Sequence, residues 1–287
     1  MSGDHFLQIG GITIALRCTD DRVRWQWSLP VQRFLVPPRE SDVELTVGVL
    51  EAPIGTAGEL LFDSGAVWRM YREEAGYRID CHSEAFEAGP YKIARLDRSF
   101  TRGTILIRPD ILPLELAPLD YPLDELLLVN LLGRNRGVEL HSCGVIDEAG
   151  RGHLFVGMSG AGKSTTAHLW EGASHGVVSD DRVIVREQDG AMWMYGTPWH
   201  GEAELSLATR APLADVYLLV QAPSNEIRSL SHAAAIARLF GCSFPPFYDA
   251  PSIDYTLGFL ERLVNVVPVR ELRFTRDRGI VELVLAA

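Results

Sequence analysis

The segment 157–164, GMSGAGKS, restricts the fold of this chain more than any other feature. It fits the pattern G-x-x-x-x-G-K-[ST], whose glycines let the backbone wrap around an anion with successive N–H groups pointing inward. The apolar run HLFVG leads into this segment, and STTAHLW continues from it. The sequence therefore predicts a buried strand, a phosphate-binding turn and a helix in direct succession, with the positive end of the helix dipole at the turn.

The fixed positions of this loop each have a chemical task. Lys163 supplies a compact ammonium for the β and γ phosphates of ATP, and the hydroxyl of Ser164 is placed to ligate Mg²⁺. The predicted nucleotide contacts come from the loop and the residue after it, namely Gly157, Ser159, Gly160, Ala161, Gly162, Lys163, Ser164 and Thr165. ATP and Mg²⁺ are the expected cofactors. The alternative is a Gly-rich strand-to-helix turn that binds no ligand.

Composition narrows the classes of function. The chain has 287 residues, of which 47% are hydrophobic, so it is expected to be globular with one large core or two modest ones. Its formal net charge of -11 opposes extended contact with nucleic acid, which depends on phosphate neutralisation. No membrane-spanning run or secretion signal is visible, so a cytoplasmic protein without membrane contact is expected.

Cysteine and lysine usage carry further information. The four cysteines form no CxxC pair, so a zinc site or a redox motif is not expected. Lysine occurs only at Lys92 and Lys163, and the remaining cationic side chains are Arg or His. If the chain generally prefers Arg to Lys, lysine is expected only where a guanidinium cannot replace an ammonium. The phosphate loop is one such position.

The pattern of apolar residues divides the chain into two predicted domains. Residues 1–120 favour strands, since segments such as FLQIGGITIALRC and DVELTVGVLE mix alternation with short apolar runs. The segment PDILPLELAPLDYPLDE has closely spaced prolines and reads as a boundary connection. Residues 121–287 are predicted to form the catalytic domain.

In the second predicted domain, strands and helices mix without a long regular repeat. Strands are predicted at segments that include GVELHSCGVID, HLFVG, HGVVS, DRVIVRE, AMWMYG and VYLLVQA, and helices near residues 123–132, 232–240 and 253–267. The predicted fold class is therefore α/β or α+β, with a β-rich N-terminal domain followed by a P-loop kinase domain that has a mixed sheet.

Two adjacent acids, Asp180 and Asp181, follow the predicted strand HGVVS. Neighbouring side chains diverge at a strand end, so the two carboxylates are expected to do different jobs. One would hold the metal and the other would accept the proton of an attacking hydroxyl. The alternative is an Asp-Asp turn that joins two strands, and the residues alone leave open which aspartate is the base.

Three further polar residues are candidates for the site. His141 lies on the strand before the loop strand, where a core histidine is the alternative. Glu202 ends the segment GTPWHGE and is a candidate second metal ligand or substrate-positioning residue, with a structural turn as the alternative. Arg210 is a candidate for steadying phosphate charge, although a surface ion is the simpler interpretation.

The order His141-Ser142, GMSGAGKS and SDDRV resembles the catalytic domain shared by bacterial HPr kinase/phosphorylase and phosphoenolpyruvate carboxykinase, over roughly residues 125–287. The resemblance implies that Asp180 is the base, that Asp181 is a metal-linked carboxylate, and that His141 orients the base or the phosphate. Met158 and Thr165 stand where HPr kinases usually carry acidic residues. The chain is for that reason more similar to the smaller HPr kinase-like proteins of modified-peptide biosynthesis.

By analogy, this resemblance implies an ATP-dependent kinase that transfers the γ-phosphoryl group to a Ser hydroxyl of a peptide or protein, such as a precursor peptide. It further implies a homo-oligomer and a substrate-recognising N-terminal domain. Two other classes stay open: an ATP-binding regulatory or assembly protein without phosphotransfer, and a kinase for a small metabolite such as free serine.

Overall fold

Two mixed β-sheets hold most of the regular structure in the computed structural model, which describes residues 4–52, 54–86, 89–114, 117–171 and 176–287. The chain divides into two compact units, one of Met1–Gln8 with Ile12–Leu131 and one of Ile9–Gly11 with Leu132–Ala287. The mixed α/β class predicted from the sequence is confirmed by the two sheets. In the described part of the chain, no helix combines the length and apolar character needed to cross a lipid bilayer.

The first unit is built on a sheet of eight strands, counted over the described residues. Its strands are β1 (His5–Ile9), β2 (Ile12–Cys18), β3 (Val43–Val49), β4 (Glu59–Asp63), β5 (Trp68–Glu73), β6 (Gly76–Cys81), β7 (Lys92–Asp97) and β8 (Arg102–Ile107). Its helical elements are α1 (Leu29–Gln32), a 3-10 turn at Pro109–Leu114 and α2 (Leu123–Leu132), and the division between the units falls at the last residue of α2.

The order of these strands in space is β1-β2-β3-β8-β7-β6-β5-β4. Strand β3 pairs in parallel with both β2 and β8, and the pairs from β8 to β4 are antiparallel. The strand content predicted for this half of the sequence is therefore confirmed. The predicted connection at 109–125 forms the 3-10 turn and the start of α2, while its residues 115 and 116 lie outside the described residues.

The second unit combines strands with most of the longer helices. Its strands are β9 (Val138–Ile146), β10 (Gly152–Val156), β11 (Gly176–Ser179), β12 (Arg182–Gln188), β13 (Ala191–Tyr195), β14 (Arg210–Gln221), β15 (Glu226–Ser229) and β16 (Val269–Phe274). Its helices are α3 (Lys163–Trp170), α4 (His232–Gly241), α5 (Ala250–Val266) and α6 (Gly279–Leu285). Position 175, where the predicted strand HGVVS begins, lies outside the described residues, and β11 forms the rest of that segment.

Strands β9 and β14 each pair with three other strands, and those of β9 include β11, which pairs with its second half. Residues 138–141 of β9 pair with β12, and residues 142–146 pair with β10. The start of β14 pairs with β13, and the remainder pairs in parallel with β10 and β16. Because β10, β14 and β16 run in the same direction, their carboxyl ends meet at one edge of the sheet, where open α/β sheets bind ligands.

Side chains of β10 alternate between two hydrophobic cores, as the period of a strand requires. Leu154 and Val156 pack in a core that also holds residues of β12, β13, α4 and α5. Phe155 packs on the opposite face against Trp170 of α3 and Tyr217 of β14. Strand β10 is buried on both faces, so the turn after it is where the chain leaves the core.

Candidate functional site

The turn between β10 and α3 has the backbone that its glycines predict. Gly160 and Gly162 have φ of +79° and +109°, a left-handed region that glycine adopts without strain. A Cβ at Gly162 would lie 2.5 Å from Cζ of Phe274, which ends β16. Gln221, which ends β14, donates from Nε2 to the carbonyl oxygen of Gly160 at 2.8 Å. The ends of two neighbouring strands thus hold the turn in place.

The amides of this turn form a group of unused donors. Ala161 N–H closes the turn by donating to the carbonyl oxygen of Met158 at 3.0 Å. Among the described residues, no acceptor is found for the amides of Ser159, Gly160, Gly162, Lys163, Ser164 and Thr165. Orphan donors are expected at a helix start, and an inward-facing set of them at the positive end of a helix is an anion-binding arrangement.

Lys163 places a buried ammonium inside the turn. The residue is 7% exposed, and its Nζ donates to the carbonyl oxygens of Gly157 at 3.1 Å and Met158 at 3.3 Å. Burial lowers the pKa of Lys163, with the negative charge of Asp181 acting in the opposite direction. A buried cation whose partners are neutral carbonyl groups is incompletely compensated, so this position favours an anion.

Asp180 lies beside the start of α3 and is almost fully buried, with 1% of its surface exposed. Its Oδ1 accepts the N–H of Gly201 at 2.9 Å, and its Oδ2 accepts the N–H of Ala203 at 2.9 Å. The hydroxyl of Ser164 donates to the same Oδ2 at 3.4 Å. The carboxylate is therefore fixed by the loop after β13 and faces the residue predicted to bind Mg²⁺.

Asp181 is held differently, between two basic side chains. Its Oδ1 lies 3.0 Å from Nε2 of His141, and its Oδ2 accepts a 2.8 Å hydrogen bond from Arg182. Burial opposes ionisation, but the His141 hydrogen bond and the charges of Arg182, His141 and Lys163 outweigh it and lower the pKa of Asp181. With its side chain 25% exposed, this carboxylate is ionised and open to solvent at neutral pH.

The backbone connects this second carboxylate to the phosphate loop. Gly157 N–H donates to the carbonyl oxygen of His141 at 3.2 Å, and Ser142 N–H donates to the carbonyl oxygen of Asp181 at 2.9 Å. Strand β9 therefore joins His141, the acidic pair and the start of the loop. The structure brings together the loop, both aspartates and His141, which the sequence predicted as one site.

A further set of side chains, which was not predicted from the sequence, lies next to Asp181. Arg182 lies 3.3 Å from Oε1 of Glu139, and its guanidinium lies 4.1 Å from the ring centre of Phe244. Glu139 has no exposed side-chain surface. A glutamate between Val138 and Leu140 in a strand predicted to be buried was the available signal, because a fully buried glutamate nearly always has a charged partner.

Two predicted candidates lie less centrally. The side chain of Glu202 is exposed, although its neighbours Gly201 and Ala203 both contact Asp180. Arg210 begins β14, at the end remote from the loop, and donates to Gln188 Oε1 at 2.7 Å. Within the described ranges, no cluster of three or more His, Cys, Asp or Glu side chains could hold a metal ion, so a cation here would need hydroxyl and ligand oxygens as well.

The arrangement has the parts that phosphoryl transfer uses: anion donors, a cation, a carboxylate beside a hydroxyl, and a second, accessible carboxylate. Each lies on or next to β9, β10 or α3. Comparison of the sequence with models of known protein families gives no match, and comparison with curated proteins gives none.

Proposed function

We propose that this chain is a Mg-ATP-dependent phosphotransferase that transfers the γ-phosphoryl group to a Ser hydroxyl of a peptide or protein. The observation that carries the proposal is the buried ammonium of Lys163, which has carbonyl partners within a turn of unused amides. Both features favour an anion with several oxygen atoms, as a polyphosphate has.

The residues fit Mg-ATP as substrate and cofactor. The turn amides and Lys163 would hold the phosphates, while Ser164 and Asp180 supply the oxygen ligands that Mg²⁺ prefers. When bound, Mg²⁺ neutralises charge on the phosphate oxygens. Because the chain's own groups are already fixed by hydrogen bonds, they need little rearrangement to stabilise the transferring group.

We assign the base to Asp181, which reverses the roles implied by the resemblance. Asp180 is 1% exposed and accepts two backbone amides and the Ser164 hydroxyl, so it is enclosed on the metal side of the site. Asp181 is more exposed and pairs with His141. An ionised carboxylate next to a histidine can accept the hydroxyl proton as it attacks the phosphate, and its lowered pKa keeps it deprotonated at neutral pH.

The acceptor class, a homo-oligomeric state and a cytoplasmic location are parts of the same proposal. The acceptor class and the oligomeric state come from the sequence resemblance, as does a substrate-recognising role for the first unit. Asp181 is partly exposed, so the hydroxyl of an approaching peptide or protein can reach its carboxylate from solvent.

The experiment measures the transfer of the labelled γ-phosphate of ATP to candidate peptides that contain Ser. Mass spectrometry then locates the phosphorylated residue. Asp181→Asn should bind Mg-ATP normally in calorimetry and lose about 10²–10⁴-fold in kcat. Asp180→Asn should weaken Mg²⁺-dependent nucleotide binding. Full turnover in Asp181→Asn would remove it as the base.

An acceptor-free control separates the rival classes. Nucleotide consumption that needs no acceptor would favour an ATP-driven switch over a kinase. Label that enters free serine and no peptide would favour a small-metabolite kinase. If calorimetry detects no binding of Mg-ATP to the protein, the proposed function is wrong.

A further inference from the structure

We infer that Glu139 is a positioning residue: it fixes Arg182, and Arg182 together with His141 fixes the carboxylate of Asp181. The inference rests on the proposed phosphotransfer, in which Asp181 accepts the proton. It adds a function for a buried acid that neither binds the phosphates nor reaches the acceptor.

Strand geometry places these groups together. Glu139 and His141 are two residues apart on β9, so their side chains lie on the same face. On the neighbouring strand β12, Arg182 is directly opposite His141, and Ile184 is opposite Glu139. Arg182 can therefore reach diagonally to Glu139 and also to its own neighbour Asp181, at 3.3 Å and 2.8 Å.

Packing removes the freedom that Arg182 would otherwise have. Its guanidinium stacks on Phe244, 4.1 Å from the ring centre. The backbone N–H of Phe244 donates to the carbonyl oxygen of Glu139 at 3.2 Å, and its ring lies 6.0 Å from that of His141. The aromatic ring, the buried acid and the strand pairing together define one orientation of the guanidinium plane.

The ion pair between Glu139 and Arg182 is expected to contribute more to the orientation of the guanidinium than to the stability of the fold. Glu139 has 0% exposed side-chain surface and Arg182 has 19%. Desolvation offsets most of the attraction in such a pair, so apolar residues of similar volume are often equally stable or better. The carboxylate of Glu139 at this buried position is therefore best explained by the orientation that it gives to Arg182.

Orientation of Asp181 matters because a base must lie within hydrogen-bond reach of the proton that it takes. A displacement of about 1 Å can lower the rate by roughly 100-fold. Asp181 follows directly after Asp180, which is fixed by the loop at Gly201 and Ala203. The clamp by His141 and Arg182 fixes the second carboxylate independently of the first.

The first experiment compares Glu139→Gln with Glu187→Gln, a control on the same sheet whose exposed carboxylate pairs with Arg262. Glu139→Gln should lower kcat by about 10–100-fold and change KM for ATP by less than about twofold, because the phosphate loop is untouched. The control should match the unchanged protein. Equal kcat in both variants would overturn the inference.

A second measurement does not depend on catalysis. In the unchanged protein, the imidazole Nε2–H of His141 should give a proton–nitrogen NMR cross-peak protected by its bond to Asp181, and Glu139→Gln should lose that protection. An unaltered cross-peak in Glu139→Gln would refute the positioning role. If the cross-peak changes while the unchanged protein transfers no phosphate, the clamp stands and the proposed function fails.

The double variant Glu139→Leu/Arg182→Met guards against simple misfolding. Apolar replacement should restore the urea midpoint that Glu139→Gln lowers, since no buried charge is left alone. The low kcat should persist, because Asp181 has lost one side of its clamp. Recovery of both the midpoint and kcat would make the pair purely structural and overturn the inference.

Discussion

The two lysines of the chain lie in different units, and both are buried, yet their surroundings differ. Lys92 is 1% exposed; it ion-pairs with Asp120 and donates to the carbonyl oxygen of Ala117 at 3.3 Å. Lys163 is 7% exposed, and in the described part of the chain its ammonium donates to the carbonyl oxygens of Gly157 and Met158. One ammonium has an internal counter-charge and the other has none in direct contact.

This difference separates a structural cation from one that is ready for a ligand. A buried charge that is paired and hydrogen-bonded stabilises the fold only modestly, but the loss of its partner is strongly destabilising. A buried charge without a contacting counter-ion is held by the rest of the structure at a free-energy cost. That cost is recovered when an anion binds, so the environment of Lys163 is itself an argument for function.

The largest expected effect comes from Lys163→Ala. Phosphotransfer should fall by about 10³-fold or more, since the variant loses an electrostatic contact that is strongest when charge develops on the transferred group. Stability of the nucleotide-free protein should change little or rise, because an incompletely compensated cation is removed. Label transfer and urea unfolding measure the two quantities.

If Lys163→Ala is less stable than the unchanged protein and keeps full activity, Lys163 is a structural cation like Lys92. The contrast between the two lysines would then be wrong. The same variant should also lose the stabilisation by ATP, which reaches about 2.7 kcal/mol in the unchanged protein at a nucleotide concentration 100 times its Kd. Thermal unfolding with and without Mg-ATP measures this directly.

Lys92→Met should show the opposite pattern. The free energy of unfolding should fall by about 2 kcal/mol, below the range for a fully buried pair, because water can reach Asp120, whose side chain is 33% exposed. The kcat of the folded fraction should not change. Urea unfolding provides the measurement, and an undiminished midpoint would mean that the ion pair is not the structural cation described above.

Two glycines of the phosphate turn test how tightly its shape is defined. Gly160 and Gly162 share a left-handed backbone, so replacement by Ala strains either position by about 1–2 kcal/mol. A Cβ at Gly162 would also collide with Phe274, whereas one at Gly160 meets no atom within 4 Å. Gly162→Ala should therefore lower ATP affinity and stability more than Gly160→Ala, as measured by calorimetry and urea unfolding. Equal losses would indicate that backbone strain alone decides the result.

The phosphate turn could be predicted from the sequence because its defining contacts are local. The carbonyl partners of Lys163 lie at Gly157 and Met158, within the motif itself. The counter-ion of Lys92 is 28 positions away at Asp120, and nothing in the local pattern points to it. Residues that share a motif can be assigned from sequence, while partners that the fold brings together from distant parts of the chain cannot.

The acidic pair illustrates the same limit. Its presence was evident, but the separate environments depend on Gly201, Ala203 and His141, which reach it through a loop and a neighbouring strand. The clamp by Glu139 and Arg182 depends on the register between β9 and β12. Sequence therefore predicted the loop, the two aspartates and His141, missed Glu139 and Arg182, and left the division of labour among them to the fold.

Element boundaries show a comparable pattern. The strands and helices with strong periodicity, including β10, α3 and α5, occur where they were predicted. Strand β14 begins at Arg210, six residues before the predicted VYLLVQA, because its start pairs with β13. The short elements α1, β4 and β15 were not predicted; the exposed β4 and β15 have too few buried residues to leave a clear alternation.

The smallest expected effect concerns a cysteine near each lysine. Burial raises the pKa of Cys81 to about 12, against the opposing charge of Lys92, and it also raises the pKa of Cys143, against that of Lys163. The folded chain keeps these thiol protons at a pH where the unfolded chain releases them, so stability should fall as pH rises above the unfolded value of about 8.5. Cys81→Ala should weaken that fall by about 1 kcal/mol between pH 9 and 10 in urea unfolding, and Cys143→Ala should behave alike. If the dependence of stability on pH becomes flatter in only one of the two variants, then only that cysteine, and the lysine near it, stays closed to solvent at alkaline pH. That result would sharpen the comparison between the two lysines.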